Sequence, residues 1–184
     1  MHVVDTGNQR ALRGFTLIEL LVGLAVAALL IGLAVPAYAD WIASLQVMHE
    51  AQHLAASMNL ARSEAIKRGL RVNLCKSANG RQCTTGSAWH SGWIMHVDAD
   101  ANGQLASGSD LLRAWEPLAP GVTISANRPV ADYVSYTSYG HARMLSGALQ
   151  IGTLTVCGRN QTAINVVLSA GGRARIAKTR TICP

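Results

Sequence analysis

The residues best suited by type to do chemistry lie in a few short stretches. His49-Glu50-Ala51-Gln52-His53 has the spacing of a zinc-protease helix, with two histidines one turn apart and a carboxylate between them. A catalytic zinc also needs a third protein ligand, and no downstream spacing supplies one. A chance match on an exposed helix flank is the better reading. Asp98-Ala99-Asp100-Ala101-Asn102-Gly103 matches the opening of a calcium loop. The position that needs a bidentate Glu holds Ser109, and Asp110 comes one residue late. A polar hairpin turn is favoured there, with a weak calcium site as the alternative. Ser and Thr are frequent, but none sits in a GxSxG context, and no phosphate-cradling glycine loop stands out. An enzyme is therefore the least supported class, and neither a metal nor a cofactor is expected.

Charge is more informative. The formal net charge is +6, and after Asp132 there is no Asp or Glu to the end of the chain. That stretch holds Arg143, Arg159, Arg173, Arg175, Lys178 and Arg180. A one-signed region is a footprint for a polyanion or an anionic surface; a merely solvated basic face is the competing reading. On a strand, Arg173 and Arg175 point to one face while Ala174 and Ile176 point to the other. Two adjacent guanidinium forks match phosphate oxygens, and Lys178 and Arg180 extend the patch. Gly171 and Gly172 allow a tight turn before it.

The four cysteines are Cys75, Cys83, Cys157 and Cys183. None has CxxC spacing, which weakens a zinc or thioredoxin-like reading. An even number behind a membrane anchor suggests disulfides in an oxidising compartment, against the alternative of buried free thiols. Three pairings are possible; 75–83 and 157–183 are favoured because each closes a local loop.

Three kinds of element position these groups. From Leu20 to Ala39 there is no charged residue, about the length needed to cross a hydrocarbon core of ~30 Å as a helix. Pro36 is expected to kink or loosen that helix. Beyond it Trp41, Leu45, Met48, Ala55 and Ile66 recur at helical spacing, which predicts an apolar stripe on a helix ending near Arg68 with Gly69 as its stop. After Gly69 short apolar or alternating runs appear at 70–75, 92–97, 111–115, 121–125, 132–137, 149–157, 162–168 and 173–177, with turn residues between many of them. They predict antiparallel β structure. With the long helix before them, they make the fold class α+β.

The N-terminus is not an ordinary signal peptide. Residues 1–14 are polar, with Arg10 and Arg13, and the apolar run begins only after Gly14. Cleavage after Gly14 keeps the apolar helix. The junction Arg13-Gly14-Phe15-Thr16-Leu17-Ile18-Glu19-Leu20-Leu21-Val22 resembles the class III signal of type IV pilins and type II secretion pseudopilins. The resemblance implies that a prepilin peptidase cuts after Gly14 and that Phe15 becomes a methylated N-terminus. It also implies that Glu19 helps a new subunit dock into the filament. A carboxylate in an apolar helix costs about 2.5–3.5 kcal/mol at the bilayer centre, so Glu19 needs such a reason. The expected organisation is a cleaved leader at 1–14, a transmembrane and filament-core helix at 15–40, and a periplasmic or extracellular head at 41–184.

Further stretches resemble the GspH/FimT branch of pilin-like proteins. They are Ala61-Arg62-Ser63-Glu64-Ala65-Ile66-Lys67-Arg68-Gly69, Gly92-Trp93-Ile94, and Gly172-Arg173-Ala174-Arg175. The resemblance implies the family fold, a long N-terminal α-helix packed on a two-sheet antiparallel β head. Within that branch it implies a minor pilin of a type IV pilus that binds DNA during natural transformation, the GRxR pattern being the feature of the DNA-binding members. Alternatives are a minor pseudopilin of a type II secretion system and a pilus-priming minor pilin without DNA binding. The implied partners are DNA, other major and minor pilins, the prepilin peptidase and the inner membrane. The implied location is a single-pass inner-membrane protein with a periplasmic head, later a pilus fibre at the cell surface. No aromatic residue lies near the GRxR motif in sequence, so duplex DNA is expected to bind at least as well as single strands.

Overall fold

The computed structural model describes residues 16–106 and 110–184. Helix α1 spans Leu17–Arg68. The chain divides into two units, Met1–Ala39 and Asp40–Pro184. In the first unit the described part of α1 is apolar and exposed along its length, and it is long and apolar enough to cross a membrane. Pro36 lies inside α1, which continues past it rather than ending there. A proline removes one hydrogen bond from the ladder, and the long runs of turns on both sides outweigh that loss.

In the second unit, α1 ends where Gly69 takes a positive φ of 65° and its N–H donates to the Ile66 carbonyl. Glycine accepts that left-handed conformation without steric cost. The buried side chains of α1 include Val47, Ala51, Leu54, Ala55, Met58, Ala61 and Ala65. This corrects the predicted stripe. Trp41, Leu45 and Ile66 are exposed, Met48 is half-buried, and only Ala55 of that set is fully buried. The true face is rotated by about one residue, ~100°, around the helix. Its alanines let the helix axis approach the sheets, and Val47, Leu54 and Met58 fill the space between them.

Eight strands follow: β1 (Val72–Lys76), β2 (Trp93–Val97), β3 (Leu111–Trp115), β4 (Val122–Ala126), β5 (Tyr133–Tyr136), β6 (Gly152–Gly158), β7 (Thr162–Leu168) and β8 (Ala174–Ile182). They form two four-stranded antiparallel sheets, ordered β3-β2-β1-β5 and β4-β6-β7-β8. The burial of β6 alternates strictly, as one core face and one open face require. Both sheets meet α1: the His53 ring lies 5.5 Å from that of Trp93 on β2, and Gly158 on β6 leaves room for Val47. Fully burying side chains such as Leu54 and Met58 contributes roughly 1.5–3 kcal/mol each.

Polar clamps lock the loops over this core. Gln150, fully buried, accepts from the Ser135 N–H and donates to the carbonyls of Pro129 and Tyr133. Trp89 Nε1 donates to the carbonyls of Val130 and Ala131. Disulfides join Cys75 to Cys83 and Cys157 to Cys183, so the second ties the C-terminal end to β6.

Candidate nucleic-acid interface

Strand β8 is an edge strand, and its first residue follows a tight hairpin turn from β7. Ser169 organises that turn. Its N–H and hydroxyl donate to the Arg173 carbonyl, its Oγ accepts from the Arg173 N–H, and its carbonyl accepts from the Gly172 N–H. Gly172 has φ of 79°, and a Cβ there would lie 2.1 Å from the Gly140 carbonyl oxygen. Only glycine satisfies both conditions. The glycine of the GRxR pattern therefore seats the arginine hairpin against a second turn, Thr137–His141.

The second turn is rigid by its own bonds. Tyr136 bridges Ala142 at its base, and Thr137 exchanges backbone hydrogen bonds with Gly140 and His141. From α1, Arg62 Nε donates to the Gly140 carbonyl at 2.9 Å. Burial pushes the Tyr136 hydroxyl above the ordinary tyrosine range, with the Arg62 charge opposing, so the base of the turn is neutral and protonated. Tyr139 at the tip is 81% exposed, and His141 is exposed beside it.

The predicted basic residues are all four exposed, with strand parity setting Lys178 apart from Arg175. Arg173 and Arg175 are exposed, and Arg175 pairs with Val167 on the open side of the sheet. Ala174 and Ile176 pair with the buried Leu168 and Val166, and Ala174 exchanges hydrogen bonds with the Asn59 side chain of α1. Lys178 pairs with the buried Ile164 and so shares the inward parity of Ala174 and Ile176. It lines a groove of about 380 Å³ with Ser44, Leu45 and Met48 of α1. Beyond it an irregularity in the β7–β8 pairing carries Arg180 to an exposed position near the C-terminus. Arg173 and Arg175 thus lie near residues 59–66 of α1, and Lys178 near residues 44–48. Arg159 occupies the β6–β7 turn, at the opposite end of β7 from Arg173.

Comparison with known proteins gives the family. The family model described as type II transport protein GspH matches residues 50–172. The chain belongs to the GspH family. A second model, the prokaryotic N-terminal methylation motif, matches residues 10–35. Fimbrial protein Q of Moraxella bovis is 34% identical over 109 residues, covering 56% of this chain and 68% of that protein. Two crystal forms of the type IV minor pilin FimU of Pseudomonas aeruginosa share the fold. Both are 18% identical and cover 74% of this chain, with TM-scores of 0.56 and 0.54 and coverage of 92% and 96% of FimU. This chain is a pilin-like protein of the GspH/FimT type. Its family and fold are those of pilin structural proteins that associate with other pilins in a fibre, and its apolar helix with the methylation motif fits a membrane-anchored pilin.

In this GspH-family chain, Gly14 and Phe15 lie outside the described residues, as do the rest of residues 1–14. Glu19 is described, and its surroundings reveal a residue that the sequence reading passed over. The Thr16 N–H and hydroxyl both donate to Glu19 Oε2 at 2.9 Å, and the Glu19 N–H donates to Thr16 Oγ1 at 3.3 Å. This is a reciprocal capping box at the start of α1, legible as T-x-x-E before an apolar run. The carboxylate of a single subunit is thereby satisfied by groups one residue from Phe15.

The remaining motif matches have structural roles. His49 and His53 stack with centroids 6.2 Å apart, and each points an Nδ1 at the Glu50 carboxylate, at 3.8 and 3.6 Å. No third ligand joins them among the described residues. The Asp98 carboxylate is buried and accepts from the N–H groups of Asn102 and Gly103 and from Asn73 Nδ2. It turns into its own loop, which supports the hairpin-turn reading; Ser109 lies outside the described residues. His96 Nε2 lies 3.5 Å from Cys83 Sγ, but both sulfurs there are held in a disulfide and offer no thiolate to a metal.

Proposed function

We propose that this chain is a minor pilin of a type IV pilus that binds DNA without sequence preference during DNA uptake. After cleavage between Gly14 and Phe15, residues 15–40 anchor it in the inner membrane and later in the filament core. The head at 41–184 then works in the periplasm or on the fibre at the cell surface. Arg173 and Arg175 are the main DNA contacts, and Lys178 and Arg180 add charge further along β8. The observation that carries the reading is the pair of exposed arginines on the open face of an edge strand, seated by Gly172 and followed by no acidic residue. Guanidinium forks in that arrangement meet phosphates, which position DNA without reading its bases. The names of Fimbrial protein Q and of the minor pilin FimU support the pilus setting.

The test is a fluorescence-anisotropy titration of the full chain in uncharged detergent micelles at several salt concentrations. Wild type is expected to bind weakly, with log affinity falling against log salt at a slope near −3 to −4 if about four phosphates are neutralised. Arg173→Ala with Arg175→Ala is expected to weaken binding to every sequence and flatten the slope by about two. Binding unchanged in the double variant would reject the assignment. The second reading is a type II secretion pseudopilin, favoured by the GspH family description. There the arginines only shield an exposed sheet edge from strand addition, and wild type would not bind DNA at low salt.

A further inference from the structure

The chain separates Tyr139 from Arg173 by more than thirty residues, yet the fold brings their two turns together. Gly140 follows Tyr139, Gly172 precedes Arg173, and the two glycine backbones meet so closely that no Cβ fits between them. Gly140 is itself hemmed in, since a Cβ there would lie 2.6 Å from Ile66 Cδ1 of α1. Both turns are therefore fixed to the head and to each other. Tyr139 is the most exposed of the head's large apolar side chains in the described residues, at 81%. A tyrosine so exposed on a hydrogen-bonded turn is not there for the core. It offers a flat, solvent-exposed π-face on the turn that abuts the arginine hairpin.

We propose that Tyr139 is a stacking platform for an unpaired nucleobase, so that the Arg173–Arg175 site takes single-stranded DNA, or the frayed end of a duplex, in preference to closed duplex. This rests on the DNA-binding reading and goes beyond it by naming the form of DNA. The two groups divide the work as single-strand binders do: the arginines hold the backbone, and the aromatic ring holds a base of any identity. The expectation drawn from sequence, that duplex binds at least as well, is reversed because the ring comes from a distant turn.

The experiment measures binding of the full chain in uncharged detergent to three probes of equal length: single-stranded oligodeoxythymidine, an abasic deoxyribose-phosphate strand, and blunt closed duplex. Wild type is expected to bind oligodeoxythymidine best. Tyr139→Ala is expected to lose about tenfold in affinity for that probe and less than about twofold for the other two. Tyr139→Phe keeps the ring and is expected to retain wild-type binding. Thermal unfolding of each variant separates this loss from misfolding. Equal loss on all three probes, or no loss on any, overturns the stacking role; the second is the result if Tyr139 instead meets another protein. If wild type binds none of the probes, the DNA reading itself falls and this inference with it. If Arg173→Ala with Arg175→Ala abolishes binding while Tyr139→Ala leaves it unchanged, only the inference falls.

Discussion

Replacing Gly172 by alanine tests the link between the arginine hairpin and the Thr137–His141 turn. The new Cβ would lie 2.1 Å from the Gly140 carbonyl oxygen and 3.2 Å from the Ala142 nitrogen, where ordinary contact begins at 3.4 Å. Both near atoms are backbone, so no side chain can swing aside, and the two turns must part by more than about 1 Å. The residue also holds φ of 79°, a left-handed conformation that costs an alanine roughly 1–2 kcal/mol. With the displaced packing added, the loss is about 2–4 kcal/mol, within the range of named backbone and overpacking effects. For a domain of about 150 residues that lowers Tm by roughly 5–15 °C. The control is its neighbour: a Cβ on Gly171 meets nothing within 4 Å and needs no left-handed φ. Gly171→Ala is expected to stay within ~0.5 kcal/mol of wild type. The assay is thermal unfolding of the full chain in detergent, followed by circular dichroism, with DNA binding measured alongside. If Gly172→Ala unfolds at the same temperature as Gly171→Ala, the Gly140 contact does not hold the hairpin and the geometric case for the interface collapses.

Other outcomes follow from the same structure. Removing Cys157–Cys183, whose partners are 26 residues apart, is expected to cost about 3.5 kcal/mol, against about 2.5 kcal/mol for Cys75–Cys83 at a separation of 8, by the chain-entropy relation. Unfolding of the paired Cys→Ser variants checks the order, and a larger loss at 75–83 would contradict it. Mass spectrometry of the mature protein is expected to find an N-terminal methylated Phe15, with residues 1–14 retained when Gly14 is replaced by a bulky residue; an intact leader in wild type would defeat the cleavage assignment.

Much of the architecture is local and was therefore readable in the chain. The uncharged run within α1 is long and apolar enough to cross a membrane, a property set by length and composition alone. Gly69 ends α1 where expected, since its left-handed φ is a property of one residue. The strands β2, β3 and β7 match the predicted runs nearly residue for residue, because turn residues bracket them. The class III junction and the short GspH/FimT stretches likewise need only neighbours in sequence.

What the sequence leaves to the tertiary structure is a matter of which face meets what. The buried side of α1 mixes Val47, Leu54 and Met58 with Ala51, Ala61 and Ala65, and a stripe drawn through Trp41, Leu45 and Ile66 selects the flank instead. Lys178, though exposed, borders a groove with α1 while Arg175, three residues earlier, lies on the open side of the sheet; strand parity decides this once β8 continues to Ile182 rather than ending at 177. Tyr139 and Arg173 become neighbours only through two glycines distant in sequence whose backbones touch, and no local pattern encodes such a contact. The sequence by itself determined the elements and the chemistry available on them, because those depend on nearby residues. The pairing of faces, and with it the composition of the interface, depends on long-range packing and was decided by the fold.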